Sequence, residues 1–350
     1  MEATTIKNTY AKAGVDIAAK AKVIGHIREH ARSTLGSEVL SGVGFFGGMY
    51  ELKGYKEPVL VSSVDGVGTK TRIAAALDKY DTIGTDIVNH CVNDIMTGGA
   101  DPLFFLDYIG IGKVAQKKIE AIAKGLSQAC KEADCAFIGG EIAEMPDIYG
   151  PDDYDLVGLI IGAVEKKKII MGKDIVIGDA VIGLPSSGLH TSAYTLVRKI
   201  FGETRKILSV PYPELGRTLG EALLEPHRSY FNEIKKTRPL LKGIAHITGG
   251  GIVGNLSRIL PQGMAARLDS KKWTILPIFN LIQKQGNVET REMYRVFNMG
   301  LGLVLVCSPE KVSRITKALP EANVIGEIVP QKGRARVIID GTGYRSDKVL

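Results

Sequence analysis

The chain has 350 residues, enough to bury a large core and to form two domains. Its net charge of +7 is spread along the sequence, with dense basic runs only at 165–168 and 332–336. There is no basic arm and no aromatic-studded basic stripe, which argues against nucleic acid and suits a small anionic substrate.

No apolar span approaches 20 residues and no secretory leader is evident, so the expectation is a cytoplasmic protein without a membrane segment. Cys91, Cys130, Cys135 and Cys307 form no C-x-x-C pair, and Cys91 and Cys307 are expected to fill core as reduced thiols. His26 and His30 lie one helical turn apart, but among Lys and Arg, which reads as a solvated face rather than a metal grip.

Helical spacing runs from Gly14 to Arg32. The loop Gly42–Gly48 follows. It contains a literal G-x-G-x-x-G without a preceding strand, so the dinucleotide context fails. Its adjacent Phe45 and Phe46 either join the core or ride on a mobile lid that closes over nucleotide.

A strand at 59–64 leads into Asp65-Gly66-Val67-Gly68-Thr69-Lys70. The glycines let backbone N–H groups curl round an anion, the acid suits Mg²⁺, and the lysine suits a phosphate. These are the parts for a nucleotide triphosphate with its metal, or simply a tight turn with an exposed lysine. Gly68-Thr69-Lys70-Thr71 inverts the Walker order, so this is not a P-loop.

A helix at 82–96 carries Asp86, Asn89, His90, Asn93 and Asp94 on one side. That stripe faces water, or serves a metal–phosphate site for which short acids and amides are apt. A strand at 102–106, a helix at 117–133, a short strand at 136–138 and a longer one at 156–164 follow. Gly139-Gly140-Glu141-Ile142-Ala143-Glu144 then reads as a loop beyond a strand end, either a site or a run of capping acids.

The charged stretch 166–178 is the candidate boundary, giving domains 1–170 and 171–350 and an α/β (α+β) fold. In the second block a strand at 180–184 precedes Ser186-Ser187-Gly188-Leu189-His190, which is suited to binding phosphate or to presenting His190 as acid, base or donor. Helices are expected near 192–201, 215–224, 228–236 and 253–260, and strands near 299–307, 322–329 and 335–339. Gly249-Gly250-Gly251 opens the last of these helices, a context for an anion. Arg295 either clamps a substrate phosphate or pairs with Glu292.

The order of these strings resembles the phosphoribosylformylglycinamidine cyclo-ligase (aminoimidazole ribonucleotide synthetase) family over nearly the whole chain. The resemblance rests on Tyr10-Ala11-Lys12-Ala13-Gly14-Val15-Asp16, Asp65 to Lys70, Cys91-Val92-Asn93-Asp94 and Gly99 to Tyr108. It continues through Gly139-Gly140-Glu141 with Ala143 to Pro146, Ser186-Ser187-Gly188 with His190, His246 with Thr248 to Gly251, and Met293-Tyr294-Arg295 with Phe297-Asn298. Asp94 with Gly99, Ala100 and Pro102 is similar to the wider superfamily of formylglycinamidine ribonucleotide synthetase, selenophosphate synthetase and thiamine-phosphate kinase.

The resemblance implies ATP-driven ring closure of formylglycinamidine ribonucleotide through phosphorylation of the formyl amide oxygen. It also implies a homodimer whose N-terminal sheets pair into a shared barrel. ATP falls to Asp65, Gly66, Gly68, Thr69, Lys70, Asp94, Gly139, Gly140 and Glu141. Mg²⁺ falls to Asp65, Asp94 and Glu141, with K⁺ admitted beside it. The ribonucleotide falls to Ser186, Ser187, His190, Gly249, Gly250, Gly251 and Arg295, and His190, Asp94 and Lys70 are the expected catalytic residues. The chain departs from the family pattern at Ser192-Ala193, where Asn-Gly is usual, at Gly254, where Glu is usual, and at Phe45, where Gly is usual. A related small-molecule kinase, a non-catalytic nucleotide-binding relative and, more remotely, a nicotinamide dehydrogenase are the competing readings.

Overall fold

The computed structural model describes residues 17–342 and 344–345. The Tyr10–Asp16 string therefore lies outside the described residues. The first half runs α1 (Ile17–Arg32), β1 (Pro58–Gly66), α2 (Lys70–Leu77), α3 (Ile83–Thr97), β2 (Asp101–Ile111), α4 (Gln116–Glu132), β3 (Ala136–Glu144) and β4 (Tyr154–Glu165). The strands make one sheet in the order β1-β4-β2-β3, in which β2 and β3 are parallel and joined through α4, while β4 runs antiparallel to both its neighbours.

Helix α3 lies on this sheet and α4 lies on α3. The two helices cross closely because Gly84 and Gly125 meet there. A Cβ on Gly125 would sit 2.7 Å from the Asp81 carbonyl, and one on Gly84 would strike the Ile122 carbonyl. The apolar side of α3 (Ile83, Ile87, Cys91, Ile95) is fully buried, as its spacing predicts.

The second half runs β5 (Ala180–Pro185), α5 (Tyr194–Phe201), α6 (Arg205–Leu208), β6 (Pro211–Tyr212), β7 (Arg217–Thr218), α7 (Leu219–Leu223), α8 (Phe231–Thr237), β8 (Gly243–His246) and α9 (Gly251–Leu256). It continues through β9 (Met264–Asp269), α10 (Pro277–Gly286), α11 (Thr290–Val296), β10 (Leu301–Cys307), α12 (Val312–Ala318), β11 (Asn323–Pro330), β12 (Val337–Asp340) and β13 (Tyr344–Arg345). Seven strands form a mixed sheet, β13-β12-β9-β11-β5-β10-β8, parallel only between β12 and β9. Every residue of β10 is buried, as the unbroken run Leu-Gly-Leu-Val-Leu-Val-Cys requires of a central strand.

Two strands run well past their expected ends, and β2 reaches Ile111 rather than stopping at 106. β3 continues through Gly139, Gly140 and Glu141 to Glu144, so those glycines sit in mid-strand rather than in a loop. Gly140 pairs with Asp107 on β2, and a Cβ there would collide with the Asp107 carboxylate. All four cysteines are free and buried, and His26 engages Glu120 of α4. No helix among the described residues is long and apolar enough to cross a membrane.

Candidate active site between the two sheets

The polar stripe of α3 does not face water. It docks on the segment 225–230 of the second half. Asn89 Nδ2 donates to the His227 carbonyl at 2.7 Å, and Asn93 Nδ2 to the Arg228 carbonyl at 2.8 Å. Asn93 Oδ1 accepts from the Tyr230 amide at 3.0 Å, and Asp86 Oδ1 from the His227 amide at 2.7 Å. The amides thus satisfy backbone groups that the contact between halves would otherwise leave unpaired.

Lys70, the first residue of α2, departs from its expected role. Its side chain and that of Asp86 are both 0 % exposed, with Nζ 2.8 Å from Asp86 Oδ2 and 2.7 Å from the Glu225 carbonyl. Burial lowers the Lys70 pKa against the pull of Asp86, and burial raises that of Asp86 against the pull of Lys70. The ammonium is already neutralised inside the protein, so in this structure it offers no face to a phosphate. Thr69 Oγ1 lies 3.1 Å from Thr195 Oγ1 on α5, a further tie between the halves, and Gly68 takes the left-handed conformation that the turn needs.

Between the halves opens a cavity of about 390 Å³ lined by Ser63 and Asp65 of β1, Asp94 of α3, His246 of β8, and Thr248 and Arg258. Ser63, Asp65, Asp94 and His246 meet there, with His90 set against both carboxylates. Asp65 Oδ2 is 3.0 Å from His90 Nε2, and Asp94 Oδ2 is 3.7 Å from the same nitrogen. Asp94 Oδ1 accepts from His246 Nδ1 at 2.7 Å, while Ser63 Oγ lies 3.3 Å from Asp94 Oδ2. Burial disfavours the Asp65 carboxylate, but the His90 bond and charge outweigh it and hold its pKa below the usual range. Asp94 is likewise held down, against burial, chiefly by His246. Burial also opposes the His90 imidazolium, yet Asp65 and Asp94 raise its pKa above the ordinary value.

Behind them stand His227 and His190. His227 Nε2 is 3.0 Å from His246 Nε2, and Thr191 Oγ1 lies 2.8 Å from His90 Nδ1 and 3.4 Å from His227 Nδ1. The His190 ring stacks on His227 at 4.0 Å and 19°. Burial pushes both imidazoles well below their ordinary pKa, and burial lowers that of His246 despite Asp94.

The other expected residues are placed apart from this cavity. His190 is buried at φ 60°, its Nε2 accepting from the Ser187 amide at 3.2 Å. Ser186 Oγ donates to Asn298 Oδ1 and Ser187 Oγ to the Pro226 carbonyl, so this motif braces β5 against 225–228. Gly250 and Gly251 adopt positive φ, and a Cβ on Gly251 would strike the Tyr294 carbonyl. Packing against α11 therefore accounts for Gly251, and the turn is pinned by Asn255 Nδ2 donating to the carbonyls of Thr248, Gly249 and Gly251. Arg295 pairs with Glu292 at 2.7 Å.

Glu141 is not brought to Asp65. The row Asp65–Gly158–Asp107–Gly140 runs across the sheet, and Glu141 belongs to the next row, whose side chains leave the opposite face. Glu141 instead lines a cavity of about 570 Å³ with Gly139, Gly140, Arg28 and the loop of Phe45 and Phe46. Both rings of that loop are exposed, so they do not join the core. Asp107, buried at the floor of this second cavity, has its pKa pushed up to about 7 by burial and by the nearby Glu141 charge.

His227 and the pairing of His246 with Asp94 are not marked by any local sequence pattern. For His246 itself the only signal was a histidine ending an apolar run before the triple glycine.

Two family models match the chain: AIR synthase related protein, N-terminal domain, over residues 49–164, and AIR synthase related protein, C-terminal domain, over 176–338. A phosphoribosylformylglycinamidine cyclo-ligase of Geobacillus kaustophilus is 49% identical over 333 residues, covering 93% of this chain and 96% of the relative. One from Thermoanaerobacter sp. is 48% identical over 330 residues, covering 93% and 98%. Among solved structures, a hydrogenase maturation protein HypE in complex with ATP aligns with a TM-score of 0.67 at 17% identity, covering 97% of each chain. A thiamine-monophosphate kinase from Stenotrophomonas maltophilia aligns with a TM-score of 0.64 at 16% identity, covering 91% and 97%. At such identities these two show a shared fold.

Proposed function

The chain belongs to the phosphoribosylformylglycinamidine cyclo-ligase family, and from that premise we propose which of its residues carry the reaction. The protein closes formylglycinamidine ribonucleotide to aminoimidazole ribonucleotide in purine biosynthesis, with ATP becoming ADP and phosphate. An amide oxygen is a poor leaving group. Its attack on the γ-phosphorus of ATP makes it a good one. The amidine nitrogen then adds to the activated carbon, phosphate departs with the former formyl oxygen, and the nitrogen loses a proton as the ring forms. Catalysis here is chiefly positioning and charge neutralisation.

The observation that carries the assignment is the convergence of Asp65, Asp94 and His246 on one cavity between the sheets. Asp65 and Asp94 are the carboxylates that would hold the Mg²⁺ accompanying ATP, whose charge would offset the polyphosphate. Their lowered pKa keeps them ionised and fits them for a cation. Arg258 is the basic group on the cavity wall and Thr248 a neighbouring hydroxyl. Gly66, Gly68 and Thr69 shape the turn beside Asp65, and K⁺ is a candidate second cation. Ser186, Ser187, His190 and Gly249 to Gly251 act as supports that hold 225–228 and the start of α9, while Lys70 locks α2 to α3. Gly139, Gly140 and Glu141 line the second cavity, over which Gly42–Gly48 acts as a lid that keeps water from the phosphorylated intermediate.

Residues 1–170 and 171–350 are read as the two domains. Leu60 and Val64 of β1, each 63 % exposed, leave an apolar face on the first sheet, with Leu159 of β4 paired to Val64. A second copy of the chain is the occupant that fits it, forming a homodimer. The cytoplasm is the location proposed for it.

The test is turnover of formylglycinamidine ribonucleotide with Mg-ATP, followed as aminoimidazole ribonucleotide. Asp65→Asn and Asp94→Asn should each slow it well over tenfold while melting near the parent temperature. Unchanged turnover in both removes them from the site.

A further inference from the structure

We propose that Arg258 receives the 5′-phosphate of the ribonucleotide, toward the end of the inter-sheet cavity that lies away from Asp65 and Asp94. The inference rests on the ring-closing reading and deepens it, by assigning this guanidinium to one of the two phosphorylated reactants. Arg258 lines the cavity with Thr248, and no other lysine or arginine does. Its side chain makes no ion pair or hydrogen bond with any described residue. No Asp or Glu occurs from Gly249 to Gln262, so its own segment leaves the charge uncompensated. Other arginines of this half are engaged: Arg228 with Glu233 and Glu321, Arg238 with Asp101, and Arg295, the phosphate clamp expected from sequence, with Glu292.

The cavity is polarised along its length. On β1 its wall runs from Val61 to Asp65, about 13 Å at ~3.3 Å per residue. On β8 the chain runs from Gly243 to His246, about 10 Å on the same rise. Asn255 Nδ2 donates to the Thr248 carbonyl just beyond His246, whereas a Cβ on Gly243 would lie 2.9 Å from the Ile259 side chain. The segment 255–259 therefore runs back along β8, and Arg258 stands toward the end away from His246. Val61 marks the same end on β1, where a Cβ on Gly98 would lie 4.0 Å from Val61 Cγ1. Asp65, Asp94 and His246 occupy the opposite end.

The substrate has a matching polarity. Formylglycinamidine ribonucleotide carries its formyl amide at one end and its phosphomonoester at the other, with ribose between. The formyl oxygen must reach the γ-phosphorus, which travels with the Mg²⁺ given to Asp65 and Asp94. The phosphomonoester then falls toward the basic end, where a planar guanidinium can donate two N–H bonds to phosphate oxygens. If Arg258 held the polyphosphate of ATP instead, the phosphomonoester would have neither a lysine nor an arginine in this cavity.

The test compares calorimetric binding of formylglycinamidine ribonucleotide, its dephosphorylated riboside and a non-hydrolysable Mg-ATP analogue. The proteins are the parent, Arg258→Ala, Gly254→Glu and Gly254→Gln. Gly254 is exposed, with open space where a Cβ would stand, so glutamate fits one turn before Arg258 and competes for its charge. Arg258→Ala should weaken the ribonucleotide about 10- to 100-fold, the worth of hydrogen bonds to a charged group. Gly254→Glu should weaken it less, and Gly254→Gln should match the parent. Affinity for the riboside and for the ATP analogue should be unchanged throughout. Equal ribonucleotide affinity in a folded Arg258→Ala or in Gly254→Glu, or a loss that falls equally on the riboside or on the ATP analogue, would overturn the assignment. The Gly254 variants keep the outcome decisive even if removal of Arg258 unfolds the chain. A parent that fails to close the ring overturns the ring-closing reading and this inference together. Turnover in which parent and Arg258→Ala share one KM for the ribonucleotide overturns this inference alone.

Discussion

Lys70→Met separates two roles for one side chain. The ammonium makes contacts of 2.8 and 2.9 Å to the two Asp86 oxygens and 2.7 Å to the Glu225 carbonyl, wholly out of water. Methionine fills a similar volume but leaves the Asp86 carboxylate buried with only the His227 amide as donor. Breaking a buried pair by removing one partner costs about 3–5 kcal/mol. At about 2–4 °C per kcal/mol for a domain of this size, the melting temperature should fall by roughly 6–20 °C. Lys70→Met with Asp86→Leu should recover part of that loss, because no charge is then stranded. It should not recover all, because the His227 amide loses its acceptor at about 1–3 kcal/mol. Thermal melts of the three variants, with ATP affinity measured well below each transition, give the answer. A Lys70→Met protein that melts within about 2 °C of the parent, yet binds ATP tenfold more weakly, would refute the structural role and restore the phosphate role.

Asp107, with its pKa raised to about 7, holds its proton more tightly folded than unfolded. Its stabilising effect is therefore present below the unfolded value near 4 and is lost as pH rises through 7. The shift of about three pH units corresponds to about 4 kcal/mol at most, and urea unfolding of Asp107→Asn should show that slope removed between pH 4 and 7. Ala193 sits at φ 63°, in the left-handed region that favours glycine. Ala193→Gly should stabilise the chain by about 0.5–1 kcal/mol, relief of a left-handed residue exceeding glycine's extra entropy; a loss of stability by urea unfolding would contradict this. Leu60→Asp and Val64→Asp should halve the mass seen by light scattering if the open face of the first sheet joins two copies, and a concentration-independent monomer in the parent would rule that dimer out.

The turn after β1 was legible because an apolar run ends in an acid and two glycines. The stripe on α3 was legible from periodicity alone. Its partner was not, because the contacts join residues far apart in the chain: Asn89 reaches a carbonyl 138 positions away, and Asp94 reaches a histidine 152 positions away. Lys70 misled for the same reason, since a lysine in a glycine turn gives no local sign that Asp86 and Glu225 will enclose it. Gly139 and Gly140 read as a break because glycine weakens a strand. Here a small residue is what lets the Asp107 side chain stand beneath β3. The long apolar strands of the second sheet were evident, whereas the short helices α6, α7 and α9 owe their ends to capping and packing that no single window displays.

The most direct measurement follows the formyl oxygen. Formylglycinamidine ribonucleotide labelled there with ¹⁸O, turned over with Mg-ATP, should deliver the label to inorganic phosphate, with one ADP formed per ring closed. Label lost to water, or phosphate released without label, would contradict phosphorylation of the amide oxygen, and with it the reaction assigned to the cleft of Asp65, Asp94 and His246.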